Sequence, residues 1–425
     1  MDKKLYETFC NILKEELVMA SGCTEPIAIA LASAKCHNLL GTFPEKIEVN
    51  VSGNMIKNVK GVIIPGTKDL YGIEYSALLG AIVNKSNKGL EVLHDISNKE
   101  IEYAKELYNK KICTVNRVKN NVKLYIEIVM TNQKETAVVE VMHTHTNITK
   151  LQKNGEEIFY NPCSLDDFNS SLTDRTKLSL KNIIDFANTL NIEDVKDTLN
   201  NQVKCNYAIA NEGLKNDYGL NAGQIILENC ECGACVKEKI KAYTASGSDA
   251  RMGGCDLPVV INSGSGNQGL TIGNGIYVYS LEKKVEEDKM YRALALANLL
   301  AIHIKSKIGR LSAFCGVVSA SIGVGAGITY IEGGDYEAIS RTVKNGIGNL
   351  SGVICDGAKS SCAIKIASSI DATFLSHQLA MKGKVIGGGI GIIYDCVEDT
   401  INNISQIASE AMLETDEMIL EIMSK

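Results

Sequence analysis

The sequence lacks the excess of basic residues that a nucleic-acid-binding protein needs. Its 44 lysines and arginines are outnumbered by 50 acidic residues, which gives a net charge of −6. Because phosphate groups bind to basic surfaces, this balance argues against nucleic acid as a main partner. The chain also lacks any long run of like charge, so the sequence predicts neither an acidic nor a basic tail.

The first residues lack the features of a secretory signal. Glu7, Glu15 and Glu16 interrupt the stretch where a signal peptide needs an unbroken apolar run. We therefore expect a cytoplasmic protein. The charge-free run over 311–331 is long enough to cross a bilayer, but its many glycine and hydroxyl-bearing residues favour a helix buried inside a helical domain. We thus expect no association with a membrane.

Cysteine, by contrast, is abundant in this chain. There are 14 cysteines, and structural disulfides are rare in the reducing cytoplasm. Some of these thiols are therefore expected to bind metal or to take part in chemistry. The alternative for each of them is burial as a small apolar side chain.

The hydrophobic pattern divides the chain into two regions and predicts the α+β fold class. Segments that alternate apolar and polar residues and are rich in Val and Ile are typical of strands. These segments are 46–53, 56–64, 122–130 and 136–151. After a turn-rich stretch over 155–170 the pattern becomes mainly helical. The sequence therefore predicts a mixed, sandwich-like α+β domain over 1–165, followed by a mainly α-helical domain over 166–425.

The first candidate site is the turn SGCTEP over 21–26, which precedes an apolar helical pattern. Pro26 suits the first turn of that helix. Cys23 then lies where backbone N–H groups and the helix dipole would lower its pKa and favour the thiolate. The alternative is an ordinary capping turn in which Thr24 is the N-cap residue.

The second candidate site consists of Cys315, Cys355 and Cys362. Cys315 belongs to the charge-free run, and an Asp-Gly-Ala turn between the other two can direct both thiols to one point. Three thiolates on separate elements match a cubane iron–sulfur cluster that leaves one iron open. Such an iron acts as a Lewis acid. The alternative is three buried thiols that bind nothing.

A third candidate site is the C-x-C-x-x-C run formed by Cys230, Cys232 and Cys235. This density of thiols indicates a second metal or redox site, although no fourth ligand is evident in the pattern. Cys255 is the additional candidate.

The fourth candidate site is the glycine-rich loop over 262–269, which contains G-x-G-x-x-G after an apolar run. A dinucleotide-binding fold would next need a helix and an acidic residue about 20 positions later. The following LTIGNGIYVYS shows no convincing helical pattern, which disfavours a nicotinamide enzyme. A loop that offers polar groups to a small carboxylate is favoured. The residues expected to bind substrate there are Ser263, Gly264, Ser265, Gly266, Asn267 and Gln268.

The fifth candidate site is the histidine pair that ends a predicted strand. His143 and His145 are two positions apart, so on a strand both face the same way. That arrangement suits metal binding or acid–base chemistry. The alternative is a pair of solvated loop histidines.

Five sequence blocks together resemble the L-cysteine desulfidase family, which is also described as iron–sulfur serine dehydratase α-chain-like. The blocks are SGCTEPIAIA, SGSDARMGG, VVINSGSGNQG, GRLSAFCGVVSASIGVGAG and ICDGAKSSCAIK. They occur in this order from about residue 20 to about residue 370, so the resemblance covers most of the chain. It implies an oxygen-labile [4Fe–4S] cluster, no pyridoxal phosphate, and conversion of L-cysteine to pyruvate, ammonia and sulfide.

The resemblance also implies roles for individual residues. Cys315, Cys355 and Cys362 match the cluster ligands of the iron–sulfur serine dehydratases, although the last two are closer together here. The segment His145-Thr146-Asn147-Ile148 is similar to their His-Pro-Asn-Thr motif. Where they have Ser-His-Thr, this chain has Gly-Cys-Thr over 22–24, and the change from His to Cys fits a desulfidase better. The C-x-C-x-x-C run is not part of the family pattern.

The expected mechanism places the substrate sulfur on the open iron and the amino acid on the glycine-rich loop. Thr24, Glu25 and Asn147 are expected to assist binding, and either Cys23 or His145 removes the α-proton. L-Serine is the alternative substrate, because dehydratase clusters also eliminate water. The competing class is a non-catalytic metal or redox sensor built on the C-x-C-x-x-C run. We expect a homodimer.

Overall fold

Strands concentrate in the first part of the chain and helices in the rest. The computed structural model describes residues 1–120, 122–164, 168–169, 172–230 and 235–424. The helices are α1 (Lys3–Glu16), α2 (Thr24–Leu40), α3 (Gly53–Val59), α4 (Ile73–Val83), α5 (Asn98–Asn109), α6 (Leu180–Thr189), α7 (Lys196–Lys215), α8 (Ala222–Glu228), α9 (Val236–Met252), α10 (Gly266–Lys283), α11 (Glu287–Ser306), α12 (Gly316–Ile331), α13 (Tyr336–Leu350), α14 (Ser361–Met381), α15 (Val397–Gln406) and α16 (Leu413–Ser424). The strands are β1 (Met19–Ser21), β2 (Lys46–Ser52), β3 (Cys113–Val118), β4 (Tyr125–Thr131), β5 (Thr136–Met142), β6 (Ile148–Lys153), β7 (Glu156–Tyr160) and β8 (Pro258–Val260). This distribution confirms the α+β class.

The described strands of the first region form a six-stranded sheet in the order β3-β2-β4-β5-β6-β7. β2 and β3 are parallel, and the other neighbours are antiparallel. Val49 of β2 lies opposite Ile128 of β4, and both are buried because α2 covers this face. α4 packs on α2 so closely that a Cβ on Gly80 would lie 2.1 Å from the carbonyl oxygen of Ala30. The alternating pattern in the sequence therefore reports a sheet with one helix-covered face.

The helical region is built around α12, which is buried on almost all sides. It packs against α10, α11, α13 and α14. α1 also belongs to this core, because its apolar stripe of Phe9, Ile12 and Leu13 lies among the residues of the helical region. Among the described residues, no helix combines the length and the hydropathy that crossing a bilayer requires.

A short antiparallel pair of strands joins the two regions. β1 pairs with β8, with Met19 opposite Val260. β1 leads into the SGCTEP turn and β8 leads into the glycine-rich loop. As a result, Thr24 donates a hydrogen bond to the carbonyl oxygen of Gly264, 240 positions later in the chain, at 2.8 Å. The predicted domain boundary at residue 165 lies outside the described residues, so the division into 1–165 and 166–425 stays a prediction.

The predicted strand over 56–64 is wrong in its first half. Residues Gly53–Val59 form α3, which packs against α2 and α16. Its residues Met55, Lys57 and Val59 are all buried. An alternating pattern of buried residues therefore arose from a short helix enclosed on more than one side.

The segment after the glycine-rich loop is helical, contrary to the sequence pattern. Glycines lower the intrinsic helix propensity of α10, but they allow close packing. A Cβ on Gly269 would lie 1.9 Å from the carbonyl oxygen of Val260, and one on Gly273 would lie 3.2 Å from the side chain of Asn206. β8 belongs to a two-stranded antiparallel pair, so the loop is not part of a parallel βαβ dinucleotide-binding unit.

Candidate active site

A cavity at the junction of the two regions collects most of the predicted site residues. It is bounded by the SGCTEP turn, the glycine-rich loop, the segment that precedes α12 and the segment that precedes α14. The described residues that line it include Cys23, Thr24, Glu25, Asn58, Arg251, Gly264, Ser265, Asn267, Gln268, Lys305, Arg310, Cys315, Cys355 and Cys362. We call it the thiol cavity. Segments that are far apart in the sequence meet there.

The N-termini of α2, α10, α12 and α14 converge on the thiol cavity. Cys23, Ser265 and Cys315 are the N-cap residues of the first three helices, and Cys362 lies in the first turn of α14. Helix N-termini carry unpaired N–H groups and a partial positive charge. The cavity is therefore suited to anions, which include thiolate-ligated clusters and carboxylates.

A short antiparallel bridge aligns two of the predicted ligands. The backbone nitrogen of Cys315 donates to the carbonyl oxygen of Val353 at 3.0 Å, and that of Cys355 donates to Ala313 at 2.6 Å. Residues two apart on an extended segment point to the same face, and so do residues directly opposite each other. Both cysteines therefore lie on one side of the bridge, in diagonal positions.

The third predicted ligand follows a tight turn that requires glycine. Gly357 has φ +99°, and a Cβ there would lie 2.4 Å from the carbonyl oxygen of Lys57 in α3. The turn allows Cys362, at the start of α14, to face the same cavity as Cys355. Burial and then the charges of Cys355 and Cys362 raise the pKa of Cys315 to about 12. The three thiols are therefore close enough to affect one another electrostatically.

The spacing of these thiols does not match the ligand set of a single tetrahedral metal ion. Sulfur ligands of one tetrahedral ion lie about 3.8 Å apart, given a metal–sulfur bond of about 2.3 Å. Cys315, Cys355 and Cys362, all within the described part of the chain, do not form a group whose ligand atoms all lie within 4.8 Å of one another.

Cys23 is a buried, protonated thiol and not the predicted thiolate. Its Sγ donates a hydrogen bond to Oε2 of Glu25 at 3.0 Å. Burial and the neighbouring carboxylate raise the pKa of Cys23 well above its ordinary value, so the expected lowering by the helix N-terminus is wrong. Burial alone would also raise the pKa of Glu25, but His145, Cys23 and Arg251 outweigh it and lower that pKa to about 2.

The two histidines do not share a face, because both lie beyond the end of β5. His143 has φ +65°, and its Nε2 lies 2.7 Å from the carbonyl oxygen of Ser164. The Nε2 of His145 instead lies 3.8 Å from Oε1 of Glu25. Both rings are buried, so neither the shared strand face nor the solvated-loop alternative is correct. His145 can influence the thiol cavity through Glu25.

His145 and Asn147 line a second cavity that adjoins the thiol cavity. Arg310 borders both cavities. The side chain of Asn147 donates to the carbonyl oxygen of Met142 at 3.1 Å, which fixes the turn after β5. The structure therefore places the predicted residue Asn147 beside the thiol cavity and not inside it.

The glycine-rich loop presents polar groups to the thiol cavity. The side chain of Ser265 accepts a hydrogen bond from the backbone nitrogen of Gln268 and so caps α10. Ser263, by contrast, is engaged with the preceding asparagine. The Oε1 atom of Gln268 is buried and has no hydrogen-bond partner among the described residues. An orphaned acceptor that lines a cavity indicates a place for a donor from a ligand.

Three cationic residues of the thiol cavity were not predicted from the sequence. Arg251 lies inside one of the recognised blocks, so that block was the available signal. Arg310 pairs with Glu16 at 3.0 Å. Lys305, in the last turn of α11, is buried, and its pKa falls to about 8, chiefly because of burial and then the charge of Lys123. No local pattern distinguished Lys305 in the sequence.

The second metal or redox site stays a prediction. Cys232 lies outside the described residues. Cys230 is partly buried and donates to the carbonyl oxygen of Ile226 at 3.2 Å, while Cys235 is exposed as the N-cap residue of α9. Neither of these two described thiols lines the thiol cavity. Cys255 is buried in the core of the sheet region.

Comparison with known proteins identifies the family. The sequence profile of the serine dehydratase alpha chain family matches residues 87–421. A UPF0597 protein of Lachnoclostridium phytofermentans is 46% identical over 419 residues, which are 99% of this chain and 100% of the relative. UPF0597 proteins of Treponema denticola (45% over 428 residues, 100% and 99% of the two chains) and Oleidesulfovibrio alaskensis (37% over 426 residues, 100% and 99%) are also similar. The chain therefore belongs to the serine dehydratase alpha chain family, a lyase family associated with iron–sulfur serine dehydratases.

Proposed function

We propose that this protein is an L-cysteine desulfidase, a lyase that converts L-cysteine and water to pyruvate, ammonia and sulfide. The observation that carries the proposal is the thiol cavity, where Cys315, Cys355 and Cys362 share one space with the SGCTEP turn and the glycine-rich loop. β-Elimination from a small amino acid needs a group that accepts the leaving sulfur, a site for the carboxylate and a proton acceptor. The cavity contains candidates for all three.

Cys315, Cys355 and Cys362 would hold a [4Fe–4S] cluster. When bound, the cluster supplies a Lewis acid for the sulfur of the substrate. The N-termini of α2, α10, α12 and α14 stabilise the negative charge that develops beside them. Because these dipoles are fixed by the fold, they need no rearrangement during the reaction.

The glycine-rich loop binds the amino acid part of the substrate. The start of α10 offers unpaired N–H groups together with the side chains of Ser265 and Asn267. The unpartnered Oε1 of Gln268 is suited to accept a hydrogen bond from the α-ammonium group. Thr24 holds Gly264 by a side-chain hydrogen bond and so keeps the loop next to Cys23. The hydrogen bond between Thr24 and Gly264 thus keeps the substrate-binding loop beside the residue that removes the proton.

Cys23, Glu25 and His145 form the path for the α-proton. The thiol of Cys23 lies 3.0 Å from Glu25, and Glu25 lies 3.8 Å from the ring of His145. Cys23 lines the thiol cavity, so it is the member of this set that can meet the substrate. We assign proton removal to Cys23 in its thiolate form, which it reaches by giving its own proton to water in the cavity, and we assign His145 the role of positioning Glu25.

L-Serine dehydratase activity is the second candidate, because the description of the matching family names serine. The same cavity would then act on a hydroxyl group. A soft sulfur suits iron better than a hard hydroxyl does, and this chain has Cys23 where the resemblance places histidine in serine enzymes. These two arguments favour L-cysteine.

The test is anaerobic purification followed by a visible spectrum, iron and sulfide counts, and parallel incubation with L-cysteine and L-serine. A broad absorption band near about 400 nm, with sulfide and pyruvate formed from L-cysteine, supports the proposal. Pyruvate from L-serine at the higher rate would make the protein a serine dehydratase. Protein that remains colourless and inert after cluster reconstitution would contradict both activities and favour the sensor built on Cys230, Cys232 and Cys235.

A further inference from the structure

We propose that Arg251 binds the α-carboxylate of the substrate and so makes the site selective for thiols that carry a carboxylate. This inference rests on the proposed function, in which the thiol cavity binds an amino acid that carries a sulfur. It adds a specificity residue that the sequence blocks alone did not assign.

Arg251 is a buried guanidinium held by two neutral acceptors. It belongs to α9 and is 2% exposed. Its Nε donates to the carbonyl oxygen of Gly22 at 2.9 Å, and one Nη donates to Oδ1 of Asn267 at 3.1 Å. These bonds fix the plane of the guanidinium and leave further N–H donors for a ligand, because arginine carries five in all.

The charge of Arg251 has no carboxylate partner in direct contact. Of the five other arginines, all of them described, four form ion pairs within 4.0 Å, and Arg341, which forms none, is only partly buried. The four paired arginines are Arg117, Arg175, Arg292 and Arg310. Arg251 forms no such pair within the described part of the chain, and the nearby Glu25 already accepts a hydrogen bond from Cys23. A buried cation without a paired anion is costly, so an anion from outside is expected to bind there.

The position of Arg251 fits a carboxylate between the two substrate-binding segments. Gly22 directly precedes Cys23, and Asn267 lies in the first turn of α10. A Cβ on Gly266 would lie 2.2 Å from Nε of Arg251, so the absence of a side chain there lets the guanidinium lie against the backbone. Arg251 lines the thiol cavity together with Cys315, Cys355 and Cys362. A carboxylate held there is next to Cys23 and shares a cavity with the three thiols.

The chemistry of the donor supports this assignment. Guanidinium groups bind carboxylates through parallel hydrogen bonds, which fix the orientation of the bound group as well as its charge. Removal of a single hydrogen bond to a charged group lowers the affinity by about 10- to 150-fold. Arg251 should therefore not increase the affinity for a thiol that has no carboxylate.

The experiment measures binding of two thiols to the anaerobic, cluster-loaded protein by isothermal titration. One probe is 3-mercaptopropionate, which has a carboxylate and no amine, and the other is cysteamine, which has an amine and no carboxylate. We expect Arg251→Gln to weaken the binding of 3-mercaptopropionate by about 10- to 150-fold and to leave the affinity for cysteamine unchanged. Arg251→Lys, which keeps the charge but not the planar fork, should give an intermediate loss. Arg292 is a partly buried arginine that pairs with Asp288 and does not line the thiol cavity, so Arg292→Gln is the control and should change the binding of neither thiol.

Each result decides the matter independently of turnover. If both Arg251 variants bind the two thiols more weakly by the same factor, the role of Arg251 is merely structural and the inference is wrong. Failure of the wild-type protein to bind 3-mercaptopropionate would overturn it as well. If the selective loss is found but L-cysteine yields no sulfide, the carboxylate site stands and the proposed desulfidase activity fails. Retained cysteamine binding shows that a variant is correctly folded.

Discussion

Lys57 and Asp416 form an ion pair that is closed off from solvent, with side chains 1% and 7% exposed. The ammonium group of Lys57 also donates a hydrogen bond to the carbonyl oxygen of Cys355 at 3.3 Å. The C-terminal helix α16 therefore supports, through α3, the segment that carries two of the predicted cluster ligands. Residues from the two ends of the chain thus contribute to the position of one thiol.

Substitution of Asp416 by Asn should be strongly destabilising, because it leaves the charge of Lys57 buried and unpaired. We expect the free energy of unfolding to fall by about 3–5 kcal/mol and iron to be lost faster from the loaded protein. Denaturant unfolding of the iron-free protein measures the first effect. The double variant Lys57→Met/Asp416→Leu should recover part of the loss. Lys46→Met, which removes an exposed pair with Glu48, is the control and should cost about 0–1 kcal/mol.

Alanine at Cys315, Cys355 or Cys362 should prevent retention of the cluster, because each sulfur comes from a different element around one cavity. We expect loss of the visible absorption band and of bound iron, with the chain still folded. Far-ultraviolet circular dichroism and an iron assay after reconstitution measure both properties. Cys396→Ala removes an exposed thiol that does not line the thiol cavity and should keep full iron. Full iron and activity in Cys355→Ala would show that the ligand assignment is wrong.

Gln268 and Gln202 offer a matched pair of buried glutamines. Gln202 is fully engaged with Asn298 and Gly269, whereas the Oε1 of Gln268 has no partner among the described residues. Gln202→Met should therefore lower the free energy of unfolding by about 1–3 kcal/mol. Gln268→Met should raise it or leave it unchanged, and should lower kcat/KM for L-cysteine by about tenfold or more. A similar loss of stability in both variants would contradict a ligand-binding role for Gln268.

Glu25 should make folding stability depend on pH in the acidic range. Its pKa is lowered from an ordinary value of 4.5 to about 2 in the folded protein. A carboxyl group of this kind contributes stability that is present above about pH 4.5 and is lost as the pH falls towards about 2. We expect this contribution to reach about 3 kcal/mol. Urea unfolding of the iron-free protein at several pH values should show that the wild-type advantage over Glu25→Gln disappears across this window.

The prediction for Glu25 can be checked against a control variant and can be contradicted by one outcome. Glu48→Gln, a substitution on the exposed part of β2, should leave the pH dependence of unfolding unchanged. If Glu25→Gln differs from the wild type by the same free energy at every pH, the carboxylate of Glu25 is not stabilised by its neighbours in the folded protein. The lowered pKa assigned to Glu25 in the folded protein would then be wrong.

That Cys315, Cys355 and Cys362 share one cavity could be predicted only partly from local signals in the sequence. The turn between Cys355 and Cys362 contains a glycine whose positive φ the structure requires. The bridge that aligns Cys315 with Cys355 leaves no such signal, because it joins segments that are distant in the chain. Arg251 was overlooked for a related reason, since its burial against Gly22 and Asn267 depends entirely on tertiary packing.

The errors also have physical causes. Alternation along a strand predicted that His143 and His145 share a face, but the ladder ends at Met142 and the chain turns there. The helix propensity of α10 is low because of its glycines, yet Gly269 and Gly273 are compatible with the helix because other elements pack directly on them. In both cases a local rule was overridden by contacts from distant parts of the sequence.

Proton removal should depend more strongly on Cys23 than on His145, because Cys23 lines the thiol cavity and His145 lines the adjoining one. L-Alanine has no leaving group, so its exchange of the α-proton with deuterium, followed by NMR, reports proton removal without elimination. We expect Cys23→Ala to slow this exchange by about 10²- to 10⁴-fold, and His145→Gln to slow it less, because His145 acts through Glu25. Both variants should keep the iron content of the wild type. The reverse order of effects would make His145 the base and leave Cys23 as a buried partner of Glu25.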